Sequence, residues 1–193
     1  MTVELTTPIG PDELRSLEIG DEVAISGTAY TARDVAHRRL FDLIERGEKP
    51  PFDLEGAVIF YAGPTPRHLR RACGVVGPTT SARMDPFTPK LLSAGVRAMI
   101  GKGPRSPEVI EAMKLYGAVY FAATGGAAAL LSTFITACDI YAWPELGPEA
   151  IWRLELKDFP AIVAVDSSGR DLFAEGRERY RGRSTGPGRR EKA

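Results

Sequence analysis

Three short, mostly apolar runs recur through the middle of the chain, and each is stopped by glycine. Residues 57–61 read AVIFY and end at Gly63-Pro64. Residues 96–100 read VRAMI and end at Gly101-Lys102-Gly103, and residues 118–122 read AVYFA and end just before Thr124-Gly125-Gly126. Runs of this length without alternation are the mark of strands covered on both faces. Between the last two, Ser106 precedes Pro107 and a 3.6-residue apolar rhythm through Val109, Ile110, Met113 and Leu115, which predicts a capped helix. Strand–helix–strand order of this kind predicts an α/β chain with a partly parallel sheet.

The flanks add to that frame. Residues 22–26 (EVAIS) alternate like a half-buried strand closed by Gly27. A helix is expected after it, with Thr31 as N-cap, Asp34 in capping-box position, apolar Val35, Leu40, Phe41, Leu43 and Ile44, and Gly47 just past its end. Lys49-Pro50-Pro51 then forces a loop. Short helices are expected at 66–72, 87–94 and 127–131, and a short strand at 74–77. Residues 152–156 and 161–165 read as two separate strands, the second an arm of a hairpin turning at Ser167-Ser168-Gly169. Beyond Gly176 apolar residues nearly vanish. One domain over 1–176 with a mobile basic tail over 177–193 is the expected division.

Composition removes several function classes. With 25 basic and 25 acidic residues the formal charge is zero, so nothing pulls the chain toward nucleic acid or an anionic membrane. The apolar stretch at 127–131 is too short to span a bilayer, and the first residues lack a secretory leader's basic and apolar regions. A cytoplasmic location is expected. Cys73 and Cys138, the two cysteines, form no CxxC pattern. Buried, inert thiols are expected rather than a disulfide, and an all-cysteine iron–sulfur site would need more thiolates. His37 and His68 cannot complete a metal site alone.

Three segments place cations or hydroxyls where a strand gives way to a loop or helix, the usual place for ligands in open α/β sheets. Arg33 opens the helix after residues 22–26, where the helix dipole disfavours a cation and an anionic partner would offset it. Thr79-Thr80-Ser81 followed by Arg83 can offer hydroxyls and a bidentate guanidinium to a carboxylate or phosphate. Lys102 sits between glycines that clear space for a ligand, without the spacing of a phosphate-binding loop. Each segment alone has an ordinary surface explanation, and His37 reads as a partly buried histidine with a structural hydrogen bond. Together Arg33, Arg83 and Lys102 suit a small dianion.

At these segments the chain resembles the β-subunit of class I fumarases and L-tartrate dehydratases. The matching stretches are ISGTAYTARDVAHRRL, YAGPTP, GVVGPTTSARMD, MIGKG, AATGGAAAL and WPELGPEAIWRLELKDFPAIVAVDSSGRDLF. The resemblance implies a swivelling β/β/α domain with a mixed, partly parallel sheet. It implies a cysteine-bearing α-subunit that carries a [4Fe–4S] cluster, with substrate held between the two parts and no metal on this chain. Arg33, Arg83 and Lys102 are then the cations that grip the substrate carboxylates, and Thr79 the residue of proton transfer at carbon. The implied reaction is reversible hydration of fumarate to L-malate by a hetero-oligomer. Tartrate dehydration on the same scaffold and a non-catalytic anion-binding module are the alternatives.

Overall fold

The computed structural model describes residues 1–67 and 72–181. Seven strands form one sheet: β1 (Val3–Thr6), β2 (Glu22–Thr31), β3 (Val58–Phe60), β4 (Ala98–Gly101), β5 (Val119–Ala122), β6 (Ile135–Ala142) and β7 (Ile151–Val165). The spatial order is β1-β2-β3-β4-β5-β7-β6, and a further pairing of β2 with β7 closes strands β2 to β5 and β7 into a ring. Neighbours from β1 to β5 run parallel, while β7 is antiparallel to β2, β5 and β6. The expected mixed α/β architecture is what the chain adopts.

Both faces of the central strands are covered, which explains their unbroken apolar sequences. Val58, Phe60, Ile100 and Phe121 point into one core with Ile25, Phe159 and Val163. Ile59, Tyr61, Met99 and Tyr120, the alternate residues, point into a second core. That core is closed by helices α2 (Asp34–Glu45), α3 (Thr88–Ser93) and α4 (Pro107–Tyr116), through Leu40, Leu91, Leu92, Val109 and Met113, while the short helices α1 (Pro11–Ser16) and α5 (Ala128–Leu131) add Leu14 and Leu131 to the first core. Helix α4 starts as expected, with the Ser106 hydroxyl accepting from Val109 N at 3.4 Å, and ends at Gly117 in the left-handed conformation.

Several local expectations are corrected. Strand β2 does not stop at Gly27; a bulge between Ile25 and Gly27 carries it on to Thr31. Thr31 is consequently a strand residue, its hydroxyl accepting from Trp152 N at 3.0 Å, and Arg33 takes the N-cap position of α2. Residues 74–77 form no strand. The two strands expected at 152–156 and 161–165 are one, β7, turning through Asp158 at a positive φ of 52°. Leu115 faces solvent and Val35 is exposed. Helix α6 (Leu172–Arg181) runs into the stretch expected as a tail. Residues 182–193, His68 and most of the helix expected at 66–72 lie outside the described residues.

The cysteines also depart from expectation. Cys73 and Cys138 are disulfide-bonded, with Cα atoms 5.3 Å apart. The loop before Val75 packs against β6, and that packing brings together residues 65 positions apart in sequence.

Candidate functional site

The C-terminal ends of the parallel strands β2, β3 and β4 converge on one edge of the sheet. From β2 the chain passes through Ala32 to Arg33 and the start of α2. From β3 it reaches Gly63, where a side chain would collide with the Pro148 carbonyl and stand 3.0 Å from Arg33 Cδ. That glycine lets the guanidinium arm of Arg33 lie flat over the loop. From β4 the chain reaches Lys102, whose backbone bridges that of Thr80 in parallel. A side chain at Gly125, beyond β5, would lie 3.2 Å from Lys102 Cδ, so the lysine stem passes directly over that glycine.

The loop before the 3₁₀ turn Ser81–Met84 is pinned at both ends. Thr79 N donates to Tyr61 O at 2.7 Å, and Ser81 N donates to Lys102 O at 3.0 Å. Lys102 N donates in return to Ser81 Oγ at 3.1 Å. Gly101 must be glycine here, because any Cβ would strike Ser81 Oγ. The three hydroxyls therefore separate: Ser81 turns inward and is buried, Thr80 is exposed, and Thr79 is half-buried. The Arg83 guanidinium donates to Thr79 Oγ1.

Arg33 and Arg83 meet at one carboxylate. Asp34 Oδ1 lies 3.5 Å from Arg83 Nε, and its Oδ2 lies 3.9 Å from Arg33 Nη2. Arg33 has a second acidic neighbour, Glu149, with Oε1 3.2 Å from Nε. The Nε hydrogen itself has no hydrogen-bond partner, so this contact is electrostatic rather than a directed bond. The other Glu149 oxygen accepts from Val35 N at 3.1 Å and fixes the carboxylate on the first turn of α2. A sequence reading that finds Arg33, Arg83, Lys102 and Thr79 does not find Glu149, whose contact spans 116 positions of chain and leaves no local trace.

His37, one turn into α2, is fully buried and faces the Tyr61 ring edge-on, with centroids 5.1 Å apart. Its Nδ1 is 3.0 Å from Arg33 O, the structural bond expected of it, while Nε2 is buried without a partner. Burial pushes its pKa down to about 4, and the charge of Arg105 acts in the same direction. Hence at neutral pH His37 is an uncharged brace on the Arg33 backbone.

Arg33, Arg83 and Lys102, with the Thr79 hydroxyl, stand at the ends of neighbouring strands, an arrangement able to take up a small carboxylate dianion. The chain belongs to the fumarase C-terminus family, whose model matches residues 1–176. It is 40% identical over 169 residues to a Methanocaldococcus jannaschii chain provisionally named L(+)-tartrate dehydratase subunit beta, covering 84% of this chain and 87% of that one. The Escherichia coli L(+)-tartrate dehydratase subunit beta is 37% identical over 182 residues, 91% of this chain and 89% of its own length. The aerobic class I fumarate hydratase of Salmonella typhimurium is 37% identical over 177 residues, which is 90% of this chain and 30% of the relative. The chain thus spans nearly all of the β-subunits and under a third of the fumarate hydratase.

An iron–sulfur cluster does not fit the donors of this chain. Its two cysteines bond to each other, and among the described residues no group of three or more His, Cys, Asp and Glu could hold a metal ion. Nor, among the described residues, is any helix long and apolar enough to cross a membrane.

Proposed function

We propose that this chain is the carboxylate-binding half of a two-component hydro-lyase that interconverts fumarate and L-malate, completed by a cysteine-bearing α-subunit that carries the [4Fe–4S] cluster. The observation that carries this reading is the meeting of Arg33 and Arg83 at Asp34, with Arg83 also donating to Thr79. In the free chain Asp34 occupies the place that a substrate carboxylate would take. A dianion entering between Arg33, Arg83 and Lys102 exchanges one carboxylate for another and adds a second, so the cations lose no charge partner.

In the dehydration direction the proton on the carbon next to a carboxylate leaves, and its electron pair moves toward that carboxylate. Arg33, Arg83 and Lys102 stabilise the charge that accumulates there. On this reading Thr79 Oγ1, deprotonated and stabilised in that form by the Arg83 guanidinium donating to it, takes the proton and becomes the neutral hydroxyl. Loss of the hydroxyl group from the neighbouring carbon completes the double bond, and the partner's cluster would supply the Lewis acidity that draws that hydroxyl away. In the hydration direction Thr79 returns the proton.

A second reading replaces fumarate with L(+)-tartrate. It is favoured by near end-to-end coverage of the tartrate dehydratase β-subunits. The domain on this proposal is residues 1–176, with 177–193 a basic extension.

Anaerobic co-expression with an α-type chain, followed by assays on fumarate and L(+)-tartrate, tests both readings. Arg83→Ala in that complex should lower kcat/KM by at least about 100-fold, the scale of a lost charge-assisted clamp. Near-normal turnover by the variant would rule the site out.

A further inference from the structure

Beside the candidate half-site lies a third arginine, buried instead of exposed. Arg105 has a fully buried side chain, and its guanidinium carbon lies over two tyrosine rings, Tyr61 and Tyr120, 5.1 Å from either centroid. Its Nε donates to Asp85 Oδ1 at 2.8 Å, and Nη2 lies 2.8 Å from the same oxygen. Nη2 also donates to Thr88 Oγ1 at 2.9 Å, and Nη1 to the Tyr61 hydroxyl at 3.1 Å. The second Asp85 oxygen accepts from Ser106 N at 2.7 Å.

Three of these partners connect to the segments that carry half-site residues. Asp85 directly follows the turn with Arg83. Tyr61 directly follows β3, and its carbonyl holds Thr79 N. The Tyr120 hydroxyl is 2.8 Å from Ser81 Oγ and donates to Gly103 O at 3.0 Å, gripping the Thr79 loop and the Lys102 loop at once. Arg105 itself makes no contact with Arg33, Arg83, Lys102 or Thr79 in these bonds. A planar fork packed against both rings can satisfy Asp85, Thr88 and Tyr61 together, which a lysine ammonium cannot.

Resting on the reading of the half-site as a dicarboxylate clamp, we propose that Arg105, acting through Asp85, Tyr61 and Tyr120, is a positioning residue that sets the spacing of Thr79, Arg83 and Lys102. Two variants test it in the complex with the α-type chain. Arg105→Lys keeps the charge and removes the fork. Tyr120→Phe keeps the ring and removes only the hydroxyl that bridges the two loops. Positioning predicts that KM for the dicarboxylate rises at least about tenfold in Arg105→Lys and several-fold in Tyr120→Phe. A role in stability alone predicts a loss of active enzyme, and so of apparent kcat, with KM unchanged. A wild-type KM in folded Tyr120→Phe overturns the proposal even if Arg105→Lys fails to fold.

A readout without turnover separates this inference from the assigned reaction. In the isolated full-length chain, Tyr120→Phe should speed amide exchange at Ser81 and Lys102 by about tenfold while strand amides such as Val119 keep their protection. Equal acceleration throughout, or none at the two loop amides, refutes positioning whatever the substrate proves to be. If the wild-type complex hydrates or dehydrates no dicarboxylate while the exchange result holds, the reaction is wrong and the positioning layer stands.

Discussion

Two arginine–aspartate pairs in this chain look alike on paper and differ in every physical respect. Arg83 and Asp34 are 3.5 Å apart with side chains 45% and 37% exposed. Arg105 and Asp85 are 2.8 Å apart and 0% and 10% exposed. The first pair stands in high dielectric, where such contacts contribute about 0–1 kcal/mol and a competing carboxylate can replace one partner. The second is shut away from water and held by directed hydrogen bonds, and removing one member strands the other's charge. Burial alone would lower the pKa of Arg105, but Tyr61, Asp85 and Tyr120 outweigh that and raise it. On the proposed reading the half-site has an exchangeable upper layer and a fixed lower one. A site that must release one carboxylate to bind another needs the first, and one that must hold its cations in register needs the second.

The largest effect expected from this difference is in the lower layer. Asp85→Ala should destabilise the folded chain by about 3–5 kcal/mol, because it leaves the Arg105 guanidinium buried and uncompensated. Urea denaturation of the isolated chain measures this directly. A loss below about 1 kcal/mol would place Arg105–Asp85 in the same class as the surface pair and erase the distinction.

His37 belongs to the fixed layer as well and makes it sensitive to pH. Its pKa falls from an unfolded value of 6.5 to about 4 in the folded chain. Above pH 6.5 both states hold it neutral and it has no effect on the balance. Below that, the unfolded chain takes up the proton first, so stability declines as pH falls toward 4, by on the order of 3 kcal/mol in total. Urea midpoints at pH 7 and pH 4.5 should differ more in the wild type than in His37→Asn. Equal shifts in both would assign the pH dependence to the carboxylates.

The two layers were unequally visible in the sequence. Arg33, Thr79, Arg83 and Lys102 stand beside glycine, proline or a helix start, and those local signals place them at strand ends. Arg105 follows Gly103-Pro104 in what reads as a polar loop, where arginine is ordinarily solvated. Its burial is decided by Tyr61 and Tyr120, 44 and 15 positions away, and no local pattern reports that. The same holds for the strands. The apolar runs of β3, β4 and β5 announce themselves because both faces are covered. Strand β6 (ITACDIYA) escapes detection because Thr136, Asp139, Ile140 and Tyr141 are all exposed, so its apolar residues do not alternate with burial. Only pairing with β7 makes it a strand. The bond between Cys73 and Cys138 is hidden for the same reason, since β6 is what brings Cys138 to the loop.

A smaller effect tests how tightly the upper layer leans on the backbone. Gly63→Ala would drive a methyl group against the Pro148 carbonyl and toward Arg33 Cδ. Overpacking of this kind costs about 1–3 kcal/mol. It should also displace the Arg33 arm, so the complex should lose affinity for the dicarboxylate more than it loses stability. A variant that denatures and turns over like the wild type would show that Arg33 does not lie against this loop.

The smallest expected effect is the one on which the contrast between the layers depends most. Asp34 is the shared neighbour of Arg33 and Arg83, yet both ion-pair distances are long and its side chain is 37% exposed. Asp34→Ala should therefore change stability by less than about 1 kcal/mol, and that change should shrink further as salt is added. Removing the carboxylate also leaves the two guanidinium groups without their common counter-charge, which favours an incoming anion over water. If Asp34→Ala instead costs as much as Asp85→Ala, the upper layer is structural, and a substrate carboxylate could not displace Asp34 without unfolding the site that binds it.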